Sequence, residues 1–275
     1  MKVFVNFLRQ SPISARIGMA MVMITLAAAV LAPIIAPYGE TDVVGGVWMT
    51  SSPEHLLGTD NIGRDIFTRL LYGARNTIAI AFITTVLSFL MGTVMGLFAA
   101  TLGGWTDLGI SRFVDILMAF PTLIFALMVL SVVGTSVTAL ILTIAILDST
   151  RVYRLSRAVA MDIEVMEFVE AARLRGEHTW WLMRKEILPN ALPPLVAEFG
   201  LRFCFVFLFI ASLSFLGLGL QPPTADWGGM VRENAGAISF GIFSPLWPAA
   251  AIAFLTVGVN LIVDWFLHIA SGLKE

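Results

Sequence analysis

A chain of 275 residues that is 58% hydrophobic and 13% charged, with a mean hydropathy of +0.88, is not a soluble globule, since soluble domains carry about a quarter charged residues. A formal net charge of −2 points to neither nucleic acid nor any other anionic partner. The lone Cys204 excludes an intrachain disulfide and a cysteine-cluster metal site. These limits leave an all-α integral membrane protein, multi-pass and in contact with lipid.

Residues 1–16 carry Lys2, Arg9 and Arg16 and read as a cytoplasmic N-terminus under the positive-inside rule. Residues 17–36 are an almost unbroken apolar run of about the twenty residues a span needs. The run Ala27, Ala28 and Ala29 resembles a signal cleavage region, but the apolar stretch exceeds the roughly 7–15 residues of a signal core, so the span is expected to be retained. Residues 37–76 are polar and rich in Gly and Asp, and lie outside on this topology. Their run from Gly58 to Asp65 has no G-x-x-x-x-G-K-[ST] and no calcium-loop array. It reads instead as a cap at Asp60 and a short interfacial helix with Ile62, Ile66, Phe67, Leu70 and Leu71 toward the membrane surface or a partner.

Residues 77–268 hold five further predicted spans, at about 77–101, 109–133, 137–154, 192–215 and 246–268. Gly92 and Gly96 in the first of these have the small-xxx-small spacing that lets another helix approach. The second carries Asp115 and a kink at Phe120–Pro121. The third has the weakest signal, with Asp148 ending its apolar part. Even parity requires it nonetheless, because the arginine-rich stretch that follows belongs inside. With a short cytoplasmic tail at 269–275, twelve of the seventeen Lys and Arg fall inside, so both termini are expected in the cytoplasm.

The stretch 158–189 is the dominant cytoplasmic loop. From Asp162, residues Val165, Phe168, Val169 and Ala172 follow one apolar helical face. Gly176 suits the left-handed residue that closes a helix, and a second segment restarts through Trp180 and Trp181 toward Pro189. Composition leaves two readings open: an interfacial loop lying on lipid headgroups, or a docking helix.

Charges within spans are costly, which singles out Asp115, Asp148, Glu198, Arg202 and Asp264, with Asn260 beside the last. They either line a hydrated pathway or pair and snorkel near span ends. No enzyme constellation is present: His55, His178 and His268 belong to separate regions, and there is no H-E-x-x-H or G-x-S-x-G. The chain is therefore not expected to be an enzyme or to hydrolyse ATP, and energy for transport would come from a partner.

Glu170-Ala171-Ala172, then Gly176, then Leu188-Pro189 resembles the EAA motif of ABC importer permeases. Ile187 stands directly before Leu188, where the general pattern has its isoleucine one position earlier, at Glu186 here. The stretch from His55 to Asp65, and Ser214 to Pro223 followed by Trp227-Gly228, resemble the C-type permease subunit of the dipeptide, oligopeptide and nickel importers. The resemblance implies a six-span type I importer permease in the bacterial inner membrane. It further implies a B-type permease partner, two ABC ATPases that bind ATP and Mg²⁺, and an extracytoplasmic substrate-binding protein. ATPase coupling would then rest on Glu170, Ala171, Ala172, Gly176, Leu188 and Pro189. The substrate would be a di- or oligopeptide, or alternatively a nickel complex, glutathione or an opine-like conjugate. A self-sufficient secondary transporter would be expected to show paired, interrupted helices in two halves, and no internal repeat is visible.

Overall fold

The computed structural model describes residues 11–270, all in helices and connecting loops. Lys2, Arg9 and the tail with Lys274 lie outside the described residues. The helices are α1 (Ile13–Ile35), α2 (Ile66–Leu102), α3 (Gly104–Met118), α4 (Thr122–Val133), α5 (Val137–Glu164), α6 (Glu167–Leu174), α7 (Thr179–Leu182), α8 (Leu188–Phe215), α9 (Trp227–Asn234) and α10 (Leu246–Ala270). A π-helical turn, Met183–Ile187, joins α7 to α8, and a 3₁₀ segment, Ala235–Phe240, follows α9.

Four helical stretches are long and apolar enough to cross a bilayer: Ile13–Ile35, Ile66–Leu102, Thr179–Phe215 and Leu246–His268. A fifth crossing is counted if α3 and α4, bent by 87° at their junction, act as one.

Several boundaries differ from expectation. The short helix near Asp60 and the span from residue 77 are one 37-residue helix, about 55 Å long. Its cap is Asp65 rather than Asp60, the carboxylate accepting the Thr68 N–H at 2.8 Å. Ile66 and Leu71 are buried inside the protein rather than turned to a membrane surface. At Phe120–Pro121 the chain is broken rather than kinked, because Pro121 has no N–H to continue the ladder. Helix α5 runs ten residues past the predicted span end at Arg154, to Glu164. Helix α8 begins at Leu188, four residues before the predicted span start at 192, with Pro193 and Pro194 inside it. The Asn190 side chain donates to the Glu186 carbonyl at 2.6 Å, occupying one acceptor in this proline-interrupted turn.

Helices α2 and α5 form the spine. Ser88 meets Asp148, Gly92 meets Val152, and Gly96 meets Ser156, so the two helices advance in the same direction. A Cβ on Gly92 would lie 2.6 Å from Val152 Cβ, and one on Gly96 2.7 Å from Ser156 Cβ; only glycine permits this approach. Helices α1 and α10 pack antiparallel, Gly18 against Gly258, a contact that single glycines in distant spans did not reveal. One buried core joins α2, α5, α8, α9 and α10 around Phe207, Ile210, Trp227 and Leu255. A second, at the other end, joins α2 and α5 to the loop through Leu97, Ala160, Val169, Ala172 and Ile187.

Candidate coupling loop and charged helix face

The loop is built on α6. This helix starts at Glu167 rather than near Asp162, and the break leaves Val165 82% exposed. Glu167 and Glu170 in the first turn and Arg173 in the last complement the helix dipole. Of the predicted apolar face, Val169 and Ala172 are fully buried in the second core, while Phe168 is exposed. Glu170 and Ala171 point outward beside Leu174, which is 84% exposed. Ala172 is thus spent on the chain's own core rather than on an outer surface.

Gly176 closes the helix with φ of +84°. Its N–H donates to the Arg173 carbonyl at 2.9 Å, and the Glu177 N–H to the Ala172 carbonyl at 3.3 Å, the pair of bonds that defines a Schellman end. His178 then caps α7, its Nδ1 accepting the Trp181 N–H at 3.1 Å. In the π turn Ile187 is fully buried, while Glu186 lies 3.9 Å from Arg175. Leu188, half-buried, and Pro189, exposed, open α8. The loop is therefore continuous with a membrane helix.

The second feature is a row of charges on α5: Asp148, Arg151, Arg154 and Arg157. Three residues advance about 300° around a helix, so the row sweeps from the α8 side to the α3 side. Buried Asp148 accepts from the Ser88 hydroxyl at 2.7 Å and lies 3.6 Å from Arg202, whose Nε donates to Glu198 at 2.6 Å. The Arg151 guanidinium lies over the Phe205 ring, 4.3 Å from its centroid. Arg154 pairs with Asp115 at 2.8 Å, and Arg157 forks onto both oxygens of Asp107 at 2.5 Å.

Of the charged span residues, Asp148, Glu198 and Arg202 thus form one cluster and Asp115 belongs to the adjoining pair. Asn260, half-buried, and Asp264, exposed, lie on α10 apart from both. The three arginines of α5 entered the sequence reading only as topology signals. Their three-residue spacing is the sign that could have marked them as partners.

A third site gathers the two stretches flanking the spans. Asp60 accepts from Arg64 Nε at 2.6 Å and lies 3.4 Å from Arg69 Nε. Glu233 closes the group at 2.7 Å from Arg64 and 3.2 Å from Arg69. His55 meets Asp65 at 3.2 Å, and the Trp227 indole N–H donates to the Leu70 carbonyl at 2.9 Å. Asp226 accepts from the Thr77 hydroxyl at 2.9 Å and the Gly229 N–H at 2.8 Å. Burial pushes its carboxyl above the ordinary aspartate value, and those hydrogen bonds only partly offset the rise.

The family model described as "Binding-protein-dependent transport system inner membrane component" matches residues 92–271. A dipeptide transport system permease protein of Alkalihalophilus pseudofirmus is 34% identical over 252 residues, 91% of this chain and 83% of that protein. A glutathione transport system permease protein of Pectobacterium atrosepticum is 32% identical over 261 residues, 94% of this chain and 86% of that protein. The solved MetNI methionine ABC transporter, in inward-facing conformations, superposes with a TM-score of 0.59 at 20% identity, over 75% of this chain and 97% of that one. At that identity the likeness establishes the fold.

Proposed function

This chain belongs to the family of binding-protein-dependent transport system inner membrane components, and on that premise we propose that it is the C-type permease of an ATP-driven importer of di- or oligopeptides. It is a non-catalytic permease subunit of the inner membrane. The proposed partners are a B-type permease, two ABC ATPases holding ATP and Mg²⁺, and an extracytoplasmic binding protein. Peptide is favoured as substrate because relatives named for dipeptides and for peptide transport reach 34–36% identity over 91% of this chain. Glutathione is the runner-up, from the relative named for it.

Six spans, with both termini on the side of the coupling loop, fit the parallel course of α2 and α5. If both run from outside inward, the bent α3–α4 pair must return the chain between them. Helix α5 is less apolar than the other spans because of its row of charges, of which Asp148, Arg154 and Arg157 are paired within the protein and Arg151 lies over Phe205.

The observation that carries the mechanism is the two-sided α6. Its inner side, Val169 and Ala172, fastens it to the ends of α2 and α5, while Glu170, Ala171 and Leu174 remain open. An exposed leucine on so short a helix, with the exposed Val165 just ahead of it, is surface awaiting cover. ATPase closure would push on that side, and the π turn would pass the displacement to α8 and so alternate access across the membrane.

Two measurements test this reading. Gentle extraction with a tag on this chain should recover a second permease and P-loop ATPases; recovery of the chain alone, transporting without ATP, would replace the importer with a secondary transporter. Gly176→Val, which puts a β-branched residue at positive φ, should abolish uptake while leaving membrane insertion intact, and wild-type uptake by that variant would sink the lever.

A further inference from the structure

We propose that Arg151 is a carboxylate-receiving point on the translocation pathway, taking a free carboxylate of the transported solute; this rests on the importer reading above. Four arginines lie on α5 and α8, and three have a carboxylate of their own: Arg154 has Asp115 and Arg157 has Asp107, both on α3, and Arg202 has Glu198. Among the described residues Arg151 forms no ion pair and donates no hydrogen bond. Asp148, three residues before it, accepts from Ser88 and lies nearest Arg202, with Arg151 acting on it only beyond ion-pair distance.

The position of Arg151 excludes the ordinary explanation for an arginine in a span. A long basic side chain normally snorkels toward the nearer membrane surface, which here is the coupling-loop end of α5. The Arg151 guanidinium instead lies over the Phe205 ring, which the Arg202 guanidinium also approaches, 5.7 Å from its centroid. It reaches Phe205, which lies one turn beyond Arg202 toward the far end of α8, as expected for a side chain leaning toward its helix N-terminus.

The neighbouring α3–α5 face does not belong to lipid. The Asp115–Arg154 pair, one turn along, keeps about half its surface open in this chain, 48% and 54%. Charges that exposed at membrane depth face water or protein, because hydrocarbon would cost several kcal/mol. Lipid has a suitable face elsewhere: the cavity of about 590 Å³ between α2 and α8 is lined by Val86, Phe89, Leu90, Leu192, Val196 and Phe199. The α3–α5 face is thus left for the second permease and the aqueous path between the two.

The chemistry then points to one ligand class. A guanidinium held over an aromatic ring is oriented without using its N–H donors, and those donors form the fork that matches a carboxylate bidentately. Peptides and glutathione both end in a free carboxylate. Binding there is a way-station rather than a high-affinity site, since it rests on a single charge-assisted pair.

The test uses the whole importer, both permeases with ATPases and binding protein, in proteoliposomes. Uptake of a dipeptide is compared with that of its C-terminal carboxamide in wild type, Arg151→Gln and Arg151→Lys. The binding protein is the same throughout, so its own preference cancels when the carboxylate-to-amide ratios are compared. Arg151→Gln is expected to lower that ratio about tenfold, with Arg151→Lys retaining most of it and ATPase stimulation by the binding protein unchanged in both. An unaltered ratio in the glutamine variant would overturn the assignment. So would loss of the second permease from the purified complex, which would make Arg151 one half of an inter-subunit ion pair. Absence of ATP-dependent uptake in wild type would instead overturn the importer reading.

Discussion

The two ends of the helical bundle are built on opposite plans. At the end that gathers residues 37–65 and α9, polar groups are turned inward onto one another: Asp60, Arg64 and Arg69 are each at most 4% exposed, and Glu233 ties both arginines to α9. At the coupling end the polar groups face outward. Arg173 and Glu164 pair at the surface, Arg175 and Glu186 barely touch, and Leu174 and Val165 are almost bare. One end satisfies itself, and the other is left unsatisfied within this chain. A permease needs this asymmetry, because a surface that closes on its own groups has nothing left with which to hold an ATPase.

The sharpest way to break that contrast is Asp60→Ala. It would leave Arg64 and Arg69 facing Glu233 alone, and truncating one member of a buried ionic group costs about 3–5 kcal/mol. Thermal unfolding in detergent should drop by roughly 10 °C, and a fall of only a degree or two would mean the network is ornamental.

Next in size is a matched pair of alanine substitutions. Gly63 and Gly176 have nearly the same backbone, φ of +88° and +84°. A Cβ at Gly63 would lie 2.2 Å from the Gly45 carbonyl oxygen, whereas none of the surroundings comes within 4 Å at Gly176. Both variants incur the left-handed strain of about 1–2 kcal/mol, but Gly63→Ala must also displace backbone. It should therefore lower the melting temperature clearly more than Gly176→Ala; equal shifts would show that the first end is no more rigid than the second.

The smallest effect is expected from Asp226→Asn. Because burial raises this carboxyl in the folded state, the native protein holds the proton more tightly than the unfolded chain does. The associated stability is present below the ordinary aspartate value near 3.8 and is lost as pH rises through the raised value. Asparagine keeps an oxygen for the Gly229 N–H and removes the titration. The variant should melt with a flatter pH profile on the acid side, and a slope identical to wild type would assign the titration to another group.

Much of this was legible in the sequence, for reasons that differ by element. Gly92 and Gly96 announced a close helix approach because small-residue spacing has few other uses in a span. Gly176 announced a helix end because a left-handed position has few other tenants. The α6 start was misread because Val165 fits the apolar period of the helix, yet the chain turns there and leaves it bare. The cap at Asp65 was lost to Asp60 because both are aspartates ahead of apolar residues, and Asp60 is instead used by Arg64 and Arg69, the latter part of α2. The union of the His55–Asp65 stretch with Trp227 could not be read at all. It depends on where α2 and α8 end relative to each other, which no local pattern records.

The π turn at Met183–Ile187 carries a consequence for how this loop tolerates change. A π turn fits about one residue more into a turn than an α-helix does, so the angular relation between the Trp180 turn and α8 depends on how many residues lie between them as well as on what they are. Deleting one residue of the turn would let it relax to plain α-helix with the loop left close to its present direction, because the residue removed is the one the wider turn takes up. A single codon lost there is absorbed, whereas one lost from the plain helix of α8 would re-aim the loop by about 100°.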